Sequence, residues 1–191
     1  MEIIDGFLSD PLEWIGTVGF LVILIVVCSY LNKKGDSVGL FFVNNSLSRL
    51  DSSIYTIIND VVFNVGGMSC KIDHIVVSKY GVFVIKTKYL KGYIIGSKKA
   101  WQWTTRLNLR KNTIGNPIIE NEVAVKYVCD LLGFDEKKVF NIVCLPDLCK
   151  IEVIGANELV KYGNLASKIA MHNKVVIDDV DSVVDKIRKI K

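Results

Sequence analysis

Residues 14–31 read WIGTVGFLVILIVVCSYL, eighteen residues without a charge, and no other feature constrains the chain as strongly. As a helix rising about 1.5 Å per residue, the run spans roughly 27 Å, close to the hydrocarbon thickness of a bilayer. Trp14 and Tyr30 stand near its two ends, where amphipathic rings prefer the membrane interface, and Lys33 and Lys34 follow at once. A small soluble domain can rarely cover a helix that is apolar all round. A cleaved signal peptide needs a basic start and a small-residue cleavage site. Here Glu2, Asp5, Asp10 and Glu13 precede the run, no lysine or arginine does, and VVCSYL offers no such site. Bulky Val27 before Cys28 also argues against a lipoprotein anchor. The reading is a single-pass transmembrane helix in the cell membrane. Its acidic flank (residues 1–13) lies outside and residues 32–191 lie in the cytoplasm, as the positive-inside bias requires.

After a short linker at residues 32–37, the chain is long enough for one domain with a real core and too short for two. Val43, Leu47 and Leu50 recur at helical spacing within residues 39–50. Residues 54–65 are β-branched and end at Gly66-Gly67. Residues 70–78 and 82–88 flank the turn Lys79-Tyr80-Gly81 and predict a hairpin. Residues 91–103 read as a further hairpin around Gly96-Ser97. Residues 117–132 predict an amphipathic helix, with Pro117 at its start and Gly133 after its end. Strands follow at 139–145 and 151–154, and residues 157–162 and 181–189 look helical. The expected architecture is α/β, a mixed sheet with helices on both sides, in a domain over 38–150 with a C-terminal α/β extension over 151–191.

Cys28, Cys70, Cys129, Cys144 and Cys149 make an odd number with no CxxC pair, so free thiols in a reducing compartment are expected. With only His74 and His172 to join them, the cysteines lack a zinc-ligand spacing.

The stretch KIDHIVVSKYGVFVIKTKYLKGYIIGSKKAWQW resembles the nuclease-related domain family. The resemblance rests on Ile72-Asp73-His74, on YGVFVI at 80–85, and on Lys88, Lys91-Gly92, Gly96 and Trp101 or Trp103. Ile58-Asn59-Asp60-Val61 upstream, the spacing of Gly39, Val43, Leu47 and Leu50, and Asn116-Pro117 with the helix after it also match, so the likeness covers roughly residues 38–147. It implies a restriction-endonuclease-like, PD-(D/E)xK fold. It also implies a site with a glutamate after the first-helix glycine, an aspartate in the second strand and E-x-K in the third. Such carboxylates hold Mg²⁺ or Mn²⁺ through oxygen; the ion polarises the phosphate and activates water.

Only part of that pattern is present. Asp73 and Lys88 stand in place, but Leu40 and Lys86 occupy the two other carboxylate positions. The resemblance therefore implies a degenerate site that carries no cofactor, with Asp73 as a metal ligand only in an active enzyme. Asp73 and Lys88 are expected to form an ion pair. Glu120, on the helix after the sheet, is the candidate to complete a relocated site, and the helix dipole also favours a glutamate there.

Beyond residue 13 the chain carries 24 basic against 16 acidic side chains, and between Lys71 and Ile119 the only acidic residue is Asp73. Lys71, Lys91, Lys98, Lys99 and Arg106, interleaved with Trp101 and Trp103, suit phosphates and unpaired bases. The same charge suits an anionic leaflet. Three functions follow as expectations: a membrane-anchored, non-cleaving domain binding DNA, RNA or a protein; an active metal-dependent nuclease using Asp73, Lys88 and Glu120; or a structural subunit of a membrane assembly.

Overall fold

The computed structural model describes residues 37–65 and 67–190. The span predicted at 14–31, with Trp14, Tyr30, Lys33 and Lys34, lies outside the described residues. Among the described residues no helix is long and apolar enough to cross a membrane.

Helix α1 covers residues 37–47 and buries Val43 and Leu47. Three antiparallel strands follow: β1 (Thr56–Val65), β2 (Met68–Ser78) and β3 (Gly81–Thr87). The predicted turn between β2 and β3 works because Gly81 holds φ 143°, a conformation that L side chains rarely adopt; a Cβ there would also lie 2.4 Å from the Phe140 ring. Next comes a meander of β4 (Tyr93–Ser97), β5 (Gln102–Leu107) and β6 (Arg110–Gly115). The expected hairpin at 91–103 is thus shifted and gains a third strand. Its first turn falls at residues 98–101, after Gly96-Ser97, and Asn108 (φ 54°) closes the second.

Helix α2 (Pro117–Leu132) has the ends its sequence announces. The Asn116 side chain accepts the Ile118 N–H, Pro117 opens the first turn, and Gly133 closes the last at φ 70°. After it come β7 (Val139–Leu145), β8 (Lys150–Ile154), β9 (Leu159–Lys161), α3 (Leu165–Ala170) and α4 (Val180–Arg188). Residues 157–162 were expected to be helical; instead Leu159–Lys161 pairs in parallel with β7, Val143 opposite Leu159, because a long-range ladder overrides local helix preference.

The strands form two mixed sheets, β1-β2-β3-β7-β9 and β6-β5-β4-β8, where a single sheet was expected. Helices α2 and α4 cover one face of the larger sheet: Val125, Val128, Val184 and Ile187 pack on Ile75, Val77, Val82 and Val84. On the other face α1 and α3 place Val43, Leu47, Leu165 and Ile169 against Val76, Phe83, Ile85 and Ile142. A third cluster, including Ile94, Trp103, Ile118, Val143 and Leu145, joins the smaller sheet to α2 and β7. The described residues from Val38 onward form one compact unit, to which β8 and β9 contribute strands.

Candidate nucleic-acid interface

The site is made where β2 and β3 part. Their ladder runs only as far as His74 opposite Ile85. Beyond it β3 stays paired with β7, Lys86 opposite Val143 and Thr87 opposite Cys144, and Lys88 N–H donates to the Cys144 carbonyl at 3.0 Å. The Thr87 N–H donates instead to Asp73 Oδ2 at 2.8 Å. Asp73 thus serves as a backbone acceptor, satisfying a donor that the parting strands would leave unpaired.

On β1, Asn59 and Val61 face His74 and Ile72, which sets Asp60 opposite Asp73, at φ 57°. Ile58, Val61 and Phe63 all enter one cluster, as do Ile72, Ile75 and Val77, so the apolar alternation of both strands slips by one residue here. His74 is buried, its Nδ1 lies 2.9 Å from Asn59 Oδ1, and burial lowers its pKa. It is a packed, neutral residue of the sheet.

Lys88 pairs with Glu120 Oε2 at 2.8 Å. The expected pair between Asp73 and Lys88 is therefore not formed; Asp73 faces a backbone N–H, and Glu120 reaches the lysine from the first turn of α2. Gly115 leaves the space that Glu120 occupies, since a Cβ there would approach Glu120 Oε1 to 2.5 Å. Buried asparagines fix the turn that carries it. Asn116 Nδ2 donates to the carbonyls of Lys98 (2.8 Å) and Ala100 (2.7 Å). Asn121 Nδ2 donates to the Val84 carbonyl and to Asn141 Oδ1, and Asn141 Nδ2 donates to the Ile118 carbonyl. Sequence reasoning passed over Asn121 and Asn141; their signal was an amide at the fifth residue of a helix, on its buried face, and another inside an apolar strand.

Lys86 lines a groove of 190 Å³ with Lys71, Phe63, Cys70, Glu120 and Asn121. Lys71 pairs with Asp60 at 2.6 Å, and this hydrogen bond raises its pKa. Lys86 has no ion-pair partner among the described residues. Among the described residues, no group of three or more His, Cys, Asp and Glu side chains is placed to hold a metal ion. The donor set is a poor fit to Mg²⁺ or Mn²⁺: Asp73 accepts the Thr87 N–H through one oxygen, Glu120 is paired with Lys88, and the cationic Lys86 lines the groove beside Glu120. The same arrangement suits a phosphate oxygen. Cys129, Cys144 and Cys149 are free and buried, and burial raises the pKa of each thiol.

The other sequence candidates divide. Trp103 is 1% exposed, and its Nε1–H donates to the Ser97 carbonyl at 2.9 Å. It is a core side chain with no ring face for a base, which corrects its expected role. Trp101, in the turn before β5, is 79% exposed. Lys98 pairs with Glu158. Lys91, Lys99 and Arg106 are exposed. The turn carrying Lys99 and Trp101 is hydrogen-bonded to the start of α2 through Asn116, and so adjoins the turn that holds Glu120.

The sequence pattern of the nuclease-related domain matches residues 35–146. An uncharacterized protein of Bacillus anthracis is 36% identical over 104 residues, which cover 54% of this chain and 49% of that protein. The chain thus spans about half the length of that curated relative. No solved structure matches it. With more than half of its residues matched, and with the Asp73 and Lys88 positions at the parting of β2 and β3, the chain belongs to the nuclease-related domain family.

Proposed function

We propose that this protein is a membrane-anchored member of the family, with a restriction-endonuclease-like fold, that binds nucleic acid at the cytoplasmic face without cleaving it. The observation that carries the reading is Lys86: a cation stands where the family expects a carboxylate, and it lines a groove beside Lys71 and the Lys88–Glu120 pair. A phosphate oxygen entering the groove supplies Lys86 with the counter-charge it lacks among the described residues. The exposed Lys99 and Trp101, on the turn tied to α2, extend the surface with a further cation and a ring on which an unpaired base can stack. Such binding is weak, insensitive to sequence and sensitive to salt, because each neutralised phosphate releases counterions.

The test is titration of the full-length protein in lipid nanodiscs with single-stranded DNA and RNA at several salt concentrations. Affinity falls as salt rises, and Lys86→Glu weakens it further. Salt-independent affinity, or no binding at low salt, overturns the proposal. A second reading draws on the nearness of Glu120 to Lys88. Cleavage that requires Mg²⁺ or Mn²⁺ and is abolished by both Asp73→Ala and Glu120→Gln would show that Glu120 completes a working site.

A further inference from the structure

Away from the groove, the smaller sheet ends in a surface of a different kind. The register sets Lys111 opposite Arg106, Arg106 opposite Tyr93, and Tyr93 opposite Lys150. Directly opposed residues share a face of the sheet. Three cations and a tyrosine therefore form a row across all four strands, with Lys150 Nζ donating to the Tyr93 hydroxyl at 3.0 Å. Just beyond the row, the β5–β6 turn presents Leu109, 98% exposed, and the β7–β8 loop presents Leu148, 96% exposed. Leu148 also lines an apolar groove of 590 Å³ with Leu107, Phe42 and Val38 among others, and Asp147 is its one carboxylate. Phe41, 67% exposed, packs edge-on against Phe42.

We propose that this end of the domain is a membrane-contact surface: the leucine tips and phenylalanines enter the headgroup region of an anionic bilayer, and Lys111, Arg106 and Lys150 meet its phosphates. Three observations favour lipid over other partners. The two most exposed tips, Leu109 and Leu148, are aliphatic, which suits acyl chains and offers a base neither a ring nor a hydrogen bond. The cations flank a tyrosine, the composition that settles at a membrane interface. The chain also reaches the groove at Val38, seven residues after the uncharged run ends at Leu31. Seven residues span at most about 25 Å, so an anchor at 14–31 would keep the surface within reach of the leaflet. This last point rests on the anchored reading; the sheet row and the exposed tips do not. The division assigns Arg106 to lipid and leaves Lys71, Lys86, Lys88 and Lys99 for nucleic acid.

Full-length protein in vesicles tests it. An environment-sensitive fluorophore is attached to a single cysteine at position 109, 148 or 23, with Cys28 and Cys70 replaced by serine; Cys129, Cys144 and Cys149 are buried and remain. Vesicles contain brominated phosphatidylcholine with or without phosphatidylglycerol. Labels at 109 and 148 are expected to lose emission to the bromines in anionic vesicles, less at high salt, and less still with Arg106→Glu and Lys111→Glu. Labels at 109 and 148 that stay in water while the label at 23 is quenched overturn the surface and leave the anchor standing. The reverse result removes the anchor and supports the surface. Shielding that appears only at high protein-to-lipid ratio assigns the face to a second copy, and shielding that needs added DNA assigns it to nucleic acid; either overturns the proposal.

Discussion

Trp101 and Trp103 lie two residues apart in one segment, yet truncation of each should read out in a different assay. Trp103 is 1% exposed, is packed among Ile94, Ile118, Val143 and Leu145, and lies so close to Gly96 that a Cβ there would come within 2.4 Å of its ring. Trp103→Ala removes a whole indole from a core that cannot collapse around it, at a cost of about 3–5 kcal/mol. The lost hydrogen bond adds little, because the Ser97 carbonyl also accepts the Ala100 N–H at 3.2 Å. Trp101→Ala changes a side chain that is 79% exposed, so stability should move by no more than about 0.5 kcal/mol. Its cost falls on binding: loss of one stacked base is worth about 1–3 kcal/mol, roughly fivefold to 150-fold in affinity for single-stranded DNA. Urea unfolding followed by circular dichroism and titration with fluorescent oligonucleotide, both on the full chain, measure the two effects. A Trp103→Ala protein destabilised by less than about 1 kcal/mol would refute the packing argument. Unchanged affinity in Trp101→Ala would remove the stacking surface from the interface.

Three further outcomes follow from named groups. The pair Leu40→Glu and Lys86→Glu restores both missing carboxylates and should raise Mn²⁺ affinity measured by calorimetry; affinity equal to the wild type would show that the metal site fails for a reason other than charge. His74 has a pKa held below its ordinary 6.5, first by burial, so its neutral form belongs to the folded state. Its contribution is therefore complete above about pH 6.5 and is lost as pH falls from there through the folded value. Stability measured across pH 7 to 5 should drop, and His74→Gln should flatten the curve; an unchanged slope would place the loss elsewhere. A cysteine placed near Lys34 should resist an impermeant thiol reagent in intact cells and react after lysis, and labelling in intact cells would reverse the proposed topology.

Much of the site was legible because its signals are local. Asp73 and Lys88 stand in a run whose β-branched residues and tight turn specify two strands, and α2 announces itself by Asn116, Pro117 and Gly133. The partner of Lys88 was not legible. Adjacent strands make Asp73 the natural guess, but the ladder ends at His74 and Ile85, and Glu120 arrives from a helix some thirty residues away in sequence. The slip in alternation at Asp60 was hidden for a similar reason: it shows only in the pairing of β1 with β2 and in a backbone angle.

Residue type and short-range spacing determine what a segment can do: where a helix caps, which strand alternates, that Lys86 cannot serve as a carboxylate. Such properties are settled within a turn or two of chain, and the sequence alone contained them. Which side chains are left for a ligand is decided by long-range pairing. Burial made Trp103 a core residue while the turn before β5 left Trp101 outside. β7 drew residues 159–161 into a strand against their helical look. Register across four strands lined up Lys111, Arg106, Tyr93 and Lys150, residues that no short window of sequence holds together. Each of these depends on the free energy of contacts between distant segments, and that exists only once the chain has closed on itself.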